Sequence, residues 1–198
     1  MAEDVLFRRI AAAVVIALFA ISIYYRHRAD MAGGRVTRDD EPMPIRLGLG
    51  ISGLMGFGGL LLYFLWPPAL EWTLLPIPSG PRWGGATVAA LSVLSTWWVF
   101  RTLGLNVTRT SKTRDKATLV TTGPYRFVRH PFYVNVALAF GALSLVTRSW
   151  WFIAWIVPAL IFLALRTRRE EANLEARFGG AWRAYAARTG RFIPRLAR

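Results

Sequence analysis

Two short stretches of this chain carry the residue types that chemistry needs. The first, Gly123 to Tyr133, reads GPYRFVRHPFY. Gly123-Pro124 is a turn signal, and Pro131 biases His130 toward extended backbone, so the spacing predicts a helix that starts with Pro131 at its first position. Backbone N–H groups at that start, with Arg126 and Arg129 beside them, suit an anionic group such as a carboxylate or phosphate. The second stretch, Arg166 to Pro194, contains the adjacent acids Glu170 and Glu171. At about 100° per residue, Glu171 falls on the helical stripe made by Leu174, Phe178, Trp182 and Tyr185, if the helix continues through Gly179-Gly180. A carboxylate on a buried stripe requires a cation or a hydrogen-bond donor, either Arg129 or Arg166 or a ligand's amine or hydroxyls.

The elements that must position these stretches are apolar. Of 198 residues, 54% are hydrophobic and 14% aromatic, and the mean hydropathy is +0.34. A soluble domain runs at about 45–50% apolar residues. The hydrophobic stretches predict one membrane-embedded domain over residues 1–198, an all-α polytopic bundle with spans at about 5–25, 45–65, 83–105, 132–146 and 150–165, followed by a cytosolic amphipathic helix. Residues 29–44 read as a polar loop, a connector or a lid. Glycines at 48, 50, 53, 56, 58 and 59 give the second span a surface on which another helix can pack closely. Trp66, Trp72, Trp83, Trp150 and Trp151 fall at span ends and read as interfacial anchors.

The net charge of +14 is distributed as topology. Alternate loops and the tail hold 21 of the 25 Lys and Arg, which orients the N-terminus outside and the C-terminus in the cytoplasm of an inner or plasma membrane. This distribution argues against nucleic acid as a partner and for anionic lipid head groups. Cysteine is absent, which removes disulfides, thiolate nucleophiles and iron–sulfur ligation. With only His27 and His130 available, no metal site is expected.

The run from Leu119 to Tyr133, followed some forty residues later by Glu170-Glu171, Leu174, Phe178-Gly179, Tyr185 and Arg191-Phe192-Ile193-Pro194, resembles the isoprenylcysteine carboxyl methyltransferase family and, more distantly, the phospholipid methyltransferases. The resemblance covers about half the chain and implies an integral membrane methyltransferase that uses S-adenosylmethionine. It implies that Gly123, Pro124, Tyr125, Arg129, His130, Pro131 and Tyr133 line the cofactor pocket within a segment at about 119–135. Glu170 and Glu171 would close the pocket from a second segment at about 166–194. Glu170, Glu171 and Arg166 are the candidates for catalysis: Arg166 would hold an acceptor carboxylate, or one of the acids would take a proton from an amine or hydroxyl. The expected acceptor is lipophilic and enters from the bilayer. Where that family often carries glycine, two residues after the tyrosine, this chain has Asn135. The alternatives are an NADPH-dependent lipid or sterol reductase and a non-catalytic membrane protein.

Overall fold

The computed structural model describes residues 2–33, 41–108 and 117–195. Six α-helices account for most of these residues: α1 (Ala2–Gly33), α2 (Met43–Leu65), α3 (Ser79–Leu103), α4 (Pro131–Thr147), α5 (Trp151–Phe178) and α6 (Gly180–Arg188). The described residues contain no strand, and the chain is an all-α integral membrane bundle. Helices α1, α2, α3 and α5 are long and apolar enough to cross a bilayer, and α4 is a shorter apolar helix. At 17 residues, α4 is about 25 Å long, at the lower end of spanning length.

The helices differ in extent from the predicted spans. Helix α1 continues through residues 29–33, so the expected polar loop shrinks, and its middle, 34–40, lies outside the described residues. Helix α5 runs on to Phe178, so the acidic pair is carried by the last span itself rather than by a separate tail helix. The helix does not continue through Gly179, as the stripe argument assumed: Gly179 takes φ +51, a conformation open to glycine at little cost, and α6 begins beyond this break.

Packing follows the order α1–α3–α4–α5–α2, with α1 also touching α4. Helices α1 and α2 hardly pack on each other, which leaves an opening between them. Helix α2 meets α5 through its glycines. A Cβ at Gly59 would stand 2.1 Å from Trp151 Nε1, and one at Gly56 would stand 2.7 Å from the Trp155 ring. A Cβ at Gly48 would run into Phe162 in the same way. The glycines therefore seat aromatic rings of α5 rather than a bare helix backbone. Trp66, Trp72 and Trp83 are exposed at one end of the bundle, whereas Trp151 packs on Gly59 instead of acting as an anchor.

At that same end, Arg82 donates to Asp4 at 2.9 Å and to the Val146 carbonyl at 3.2 Å, while Arg148 sits 3.2 Å from Asp4. Buried hydroxyls of Thr73 and Ser149, 2.7 Å apart, help tie the α2–α3 connection to the α4–α5 hairpin. Both sequence-derived functional stretches lie at the opposite end.

Candidate active site

Residues 117–130 approach α4 as an extended segment broken by the tight turn Gly123–Arg126. Gly123 has φ +59, and a Cβ there would meet Thr102 Oγ1 at 2.7 Å. Glycine is thus required both by conformation and by contact with the end of α3. Pro124 is buried in the same turn. The tail returns to this loop after α6: Arg129 N–H donates to the Gly190 carbonyl at 2.8 Å, and His130 N–H donates to the Arg191 carbonyl at 3.1 Å. A Cβ on Gly190 would stand 1.8 Å from the Ile193 carbonyl oxygen, so only glycine fits this return. Tyr185 hydroxyl adds a bond to the Tyr125 carbonyl at 2.7 Å. The loop before α4 and the acidic end of α5 are therefore brought together, as the sequence predicted.

Glu171 is the centre of the junction. Its carboxylate accepts from Arg129 Nε at 3.0 Å, His130 Nε2 at 3.0 Å and Arg191 Nε at 3.1 Å, with a second, closer bond from Arg191. The hydrogen bonds that Arg191 donates to Glu171 raise it above the ordinary arginine value. Arg129 Nη1 goes to the carbonyls of Ala186 and Thr189 at the end of α6, which leaves its Nη2 edge for a ligand. This arrangement satisfies the partner requirement of an inward-facing acid within the protein itself.

Beside the junction is a cavity of about 350 Å³, within the usual size of ligand sites. Of the sequence-derived candidates, Tyr125, Arg129, His130, Tyr133, Arg166 and Glu170 line it, whereas Gly123, Pro124, Pro131 and Glu171 do not. Those four shape the walls from behind. Glu170 accepts from Tyr133 hydroxyl at 3.1 Å and is 4.0 Å from His130 Nδ1. Arg166 Nε lies 3.3 Å from Glu41 without hydrogen-bond alignment. Burial pushes the Tyr125 hydroxyl well above the ordinary tyrosine value, and burial also pushes Tyr185 up to about 12. Both phenols are therefore neutral donors at physiological pH.

Two expectations change. The start of α4 offers an anion only the Phe132 amide, because Pro131 has no N–H and the amides of Tyr133 and Val134 both go to the His130 carbonyl. Arg126 is exposed and lies over Phe127, 4.4 Å from its ring centre, outside the cavity lining. The sequence reading missed Arg26, Phe100 and Phe132, which also form the cavity wall. Arg26 sits over both rings, 5.7 and 6.0 Å from their centres, and donates to the Thr108 carbonyl at 3.3 Å. Its position at the inner end of an apolar stretch had been read as topology alone.

Asn135 is buried but faces away from this site. Its Nδ2 donates to the Ser92 carbonyl at 3.0 Å and to Thr96 Oγ1, tying α4 to α3. It lines a second cavity of about 580 Å³, bounded mainly by apolar residues of α1 and α4. Arg26 and Phe132 belong to both cavities.

A bundle of apolar helices with charged side chains gathered around a pocket at one end is the architecture of an integral membrane protein. A family model described as phospholipid methyltransferase matches residues 81–181, half of the chain, and the chain belongs to that family of integral membrane methyltransferases. Over 84 residues it is 36% identical to the nickel-cobalt-cadmium resistance protein NccN of Alcaligenes xylosoxydans xylosoxydans. It is also 36% identical over 84 residues to the cobalt-zinc-cadmium resistance protein CzcN of Cupriavidus metallidurans. Each match covers 42% of this chain and 39% of the relative, so the chain spans well under half the length of these relatives.

Proposed function

We propose that the chain transfers a methyl group from S-adenosylmethionine to a lipophilic acceptor that enters from the bilayer. The observation that carries this reading is that Arg26 and Phe132 line two adjoining cavities of different character, one carrying charged side chains such as Arg129, Arg166 and Glu170 at the end of the bundle, the other lined mainly by apolar residues among the helices. A polar donor and a greasy acceptor can meet only where two such spaces adjoin.

The residues present fit the cofactor. Glu170 lines the pocket with 32% of its side chain exposed and can accept from an amine or from ribose hydroxyls. Arg129 Nη2 or Arg166 can receive a carboxylate, and the rings of Tyr133, Phe132 and Phe100 suit a positive charge. When bound, S-adenosylmethionine supplies an electrophilic methyl on a sulfonium. The protein's own contribution is alignment, with donor and acceptor held in line at about 3–3.5 Å. An acceptor carboxylate would be held by Arg166 and need no base. For an amine or hydroxyl acceptor the proton goes to Glu170, since Glu171 already accepts from Arg129, His130 and Arg191.

Calorimetry on detergent-solubilised protein tests the reading. S-adenosylhomocysteine is expected to bind and NADPH not to bind. Binding of NADPH alone would replace methyl transfer with reduction, and binding of neither would end both.

A further inference from the structure

The second cavity is less uniform than its apolar lining suggests. Phe19 and Ile23 of α1 line it and are also exposed on the bundle surface, so it opens to the bilayer between α1 and α2. Deeper in, it carries an amide. Asn135 is 4% exposed, and the orientation of its side chain is fixed by chemistry: the Ser92 carbonyl can only accept, so the atom 3.0 Å away is Nδ2. The second Nδ2 proton goes to Thr96 Oγ1. With both donors held by α3, Oδ1 is turned away from it. Among the described residues Oδ1 receives no hydrogen bond, and it is not one of the sealed polar atoms, so its accessible surface belongs to the cavity that Asn135 lines. Ser22 of α1 adds a hydroxyl to the same wall.

A pure hydrocarbon in this space would cover Oδ1 without supplying a donor, which is unfavourable. The position of the amide narrows the match. Asn135 is three residues beyond Phe132 on α4, and Ser22 is four residues before Arg26 on α1, so they lie roughly 4.5 and 6 Å along their helices from the junction of the two cavities. We propose that Asn135 makes this cavity selective for a lipid that can place a hydrogen-bond donor, a hydroxyl or an amide N–H, at this depth, about one helical turn from the junction of the two cavities. The proposal rests on reading this cavity as the acceptor's.

The probes are farnesol and farnesyl methyl ether, which share a chain and differ in the O–H donor. Displacement of tritiated farnesol from the full chain in nanodiscs is expected to show the alcohol binding about five- to tenfold more tightly than the ether. Asn135→Leu should weaken the alcohol alone and bring the two together. Gly53→Leu, placed on a cavity-lining glycine with nothing within 4 Å of its would-be Cβ, should weaken both and leave the α3–α4 hydrogen bonds untouched. Equal affinities in the wild type would overturn the proposal, as would a preference that survives Asn135→Leu or full binding in Gly53→Leu. If Asn135→Leu fails to fold, the wild-type comparison and Gly53→Leu still decide. Titration of S-adenosylhomocysteine into the same nanodiscs reports separately on methyl transfer: a donor preference without cofactor binding keeps the selectivity and removes the enzymatic reading.

Discussion

Adjacent acids on one helix have separate duties. Glu171 accepts from three side chains and joins loop to tail, whereas Glu170 faces the cavity with Tyr133 as its partner. Glu171→Gln should therefore lower the melting temperature by roughly 5–10 °C, for a loss of about 2–3 kcal/mol in a charge-assisted network. Glu170→Gln should leave melting nearly unchanged and weaken S-adenosylhomocysteine about 10- to 100-fold. Scanning calorimetry and titration on both variants check this, and a similar loss of stability in both would erase the distinction. Tyr185 gives a pH dependence whose sign can be worked out. Its folded value of about 12 is above the ordinary tyrosine value of 10, so its contribution is fully present below pH 10 and is lost as pH rises toward 12. Thermal stability should be flat from pH 7 to 9 and fall above about 10, with a shallower fall in Tyr185→Phe. The inward direction of Glu171 was legible from helical phase. Its saturation by Arg191 was not, because no pattern within one helix reports a partner contributed by a tail twenty residues on.

Among the elements, the α2–α5 contact is the most sensitive to side-chain size. Gly56→Leu drives a side chain into Trp155 and should destabilise by about 1–3 kcal/mol. Gly58→Leu meets nothing within 4 Å and should be neutral or slightly stabilising, through better helix propensity. Melting curves of the two variants make the comparison, and equal shifts would mean that the rings do not depend on the glycines. The presence of a packing face was readable from glycine spacing, but its aromatic partners were not, since Trp151 at a span end looks the same in sequence whether it anchors in lipid or packs inward. Likewise, helical phase could place Trp182 and Tyr185 on a common stripe, yet both reach burial by a different route, after the break at Gly179.

For the molecule as a whole, the charge asymmetry and the placement of both functional stretches at one end of the bundle support a cytosolic site. The absence of cysteine makes this directly testable. In right-side-out vesicles an impermeant maleimide should label Ser79→Cys and spare Ala176→Cys, both positions being exposed, and the reverse pattern would invert the topology. Five apolar segments were legible because bilayer thickness imposes length and composition directly. The opening between α1 and α2 was not, because it depends on which helices fail to touch.

The return of Gly190 and Arg191 onto Arg129 and His130 has a consequence for biosynthesis. Helices α1 to α5 are translated before residue 190, so the bundle can be inserted while Arg129 and His130 still lack the backbone acceptors that hold them beside the pocket. A nascent chain arrested shortly before Gly190 would be integrated with that side of the pocket still unfastened.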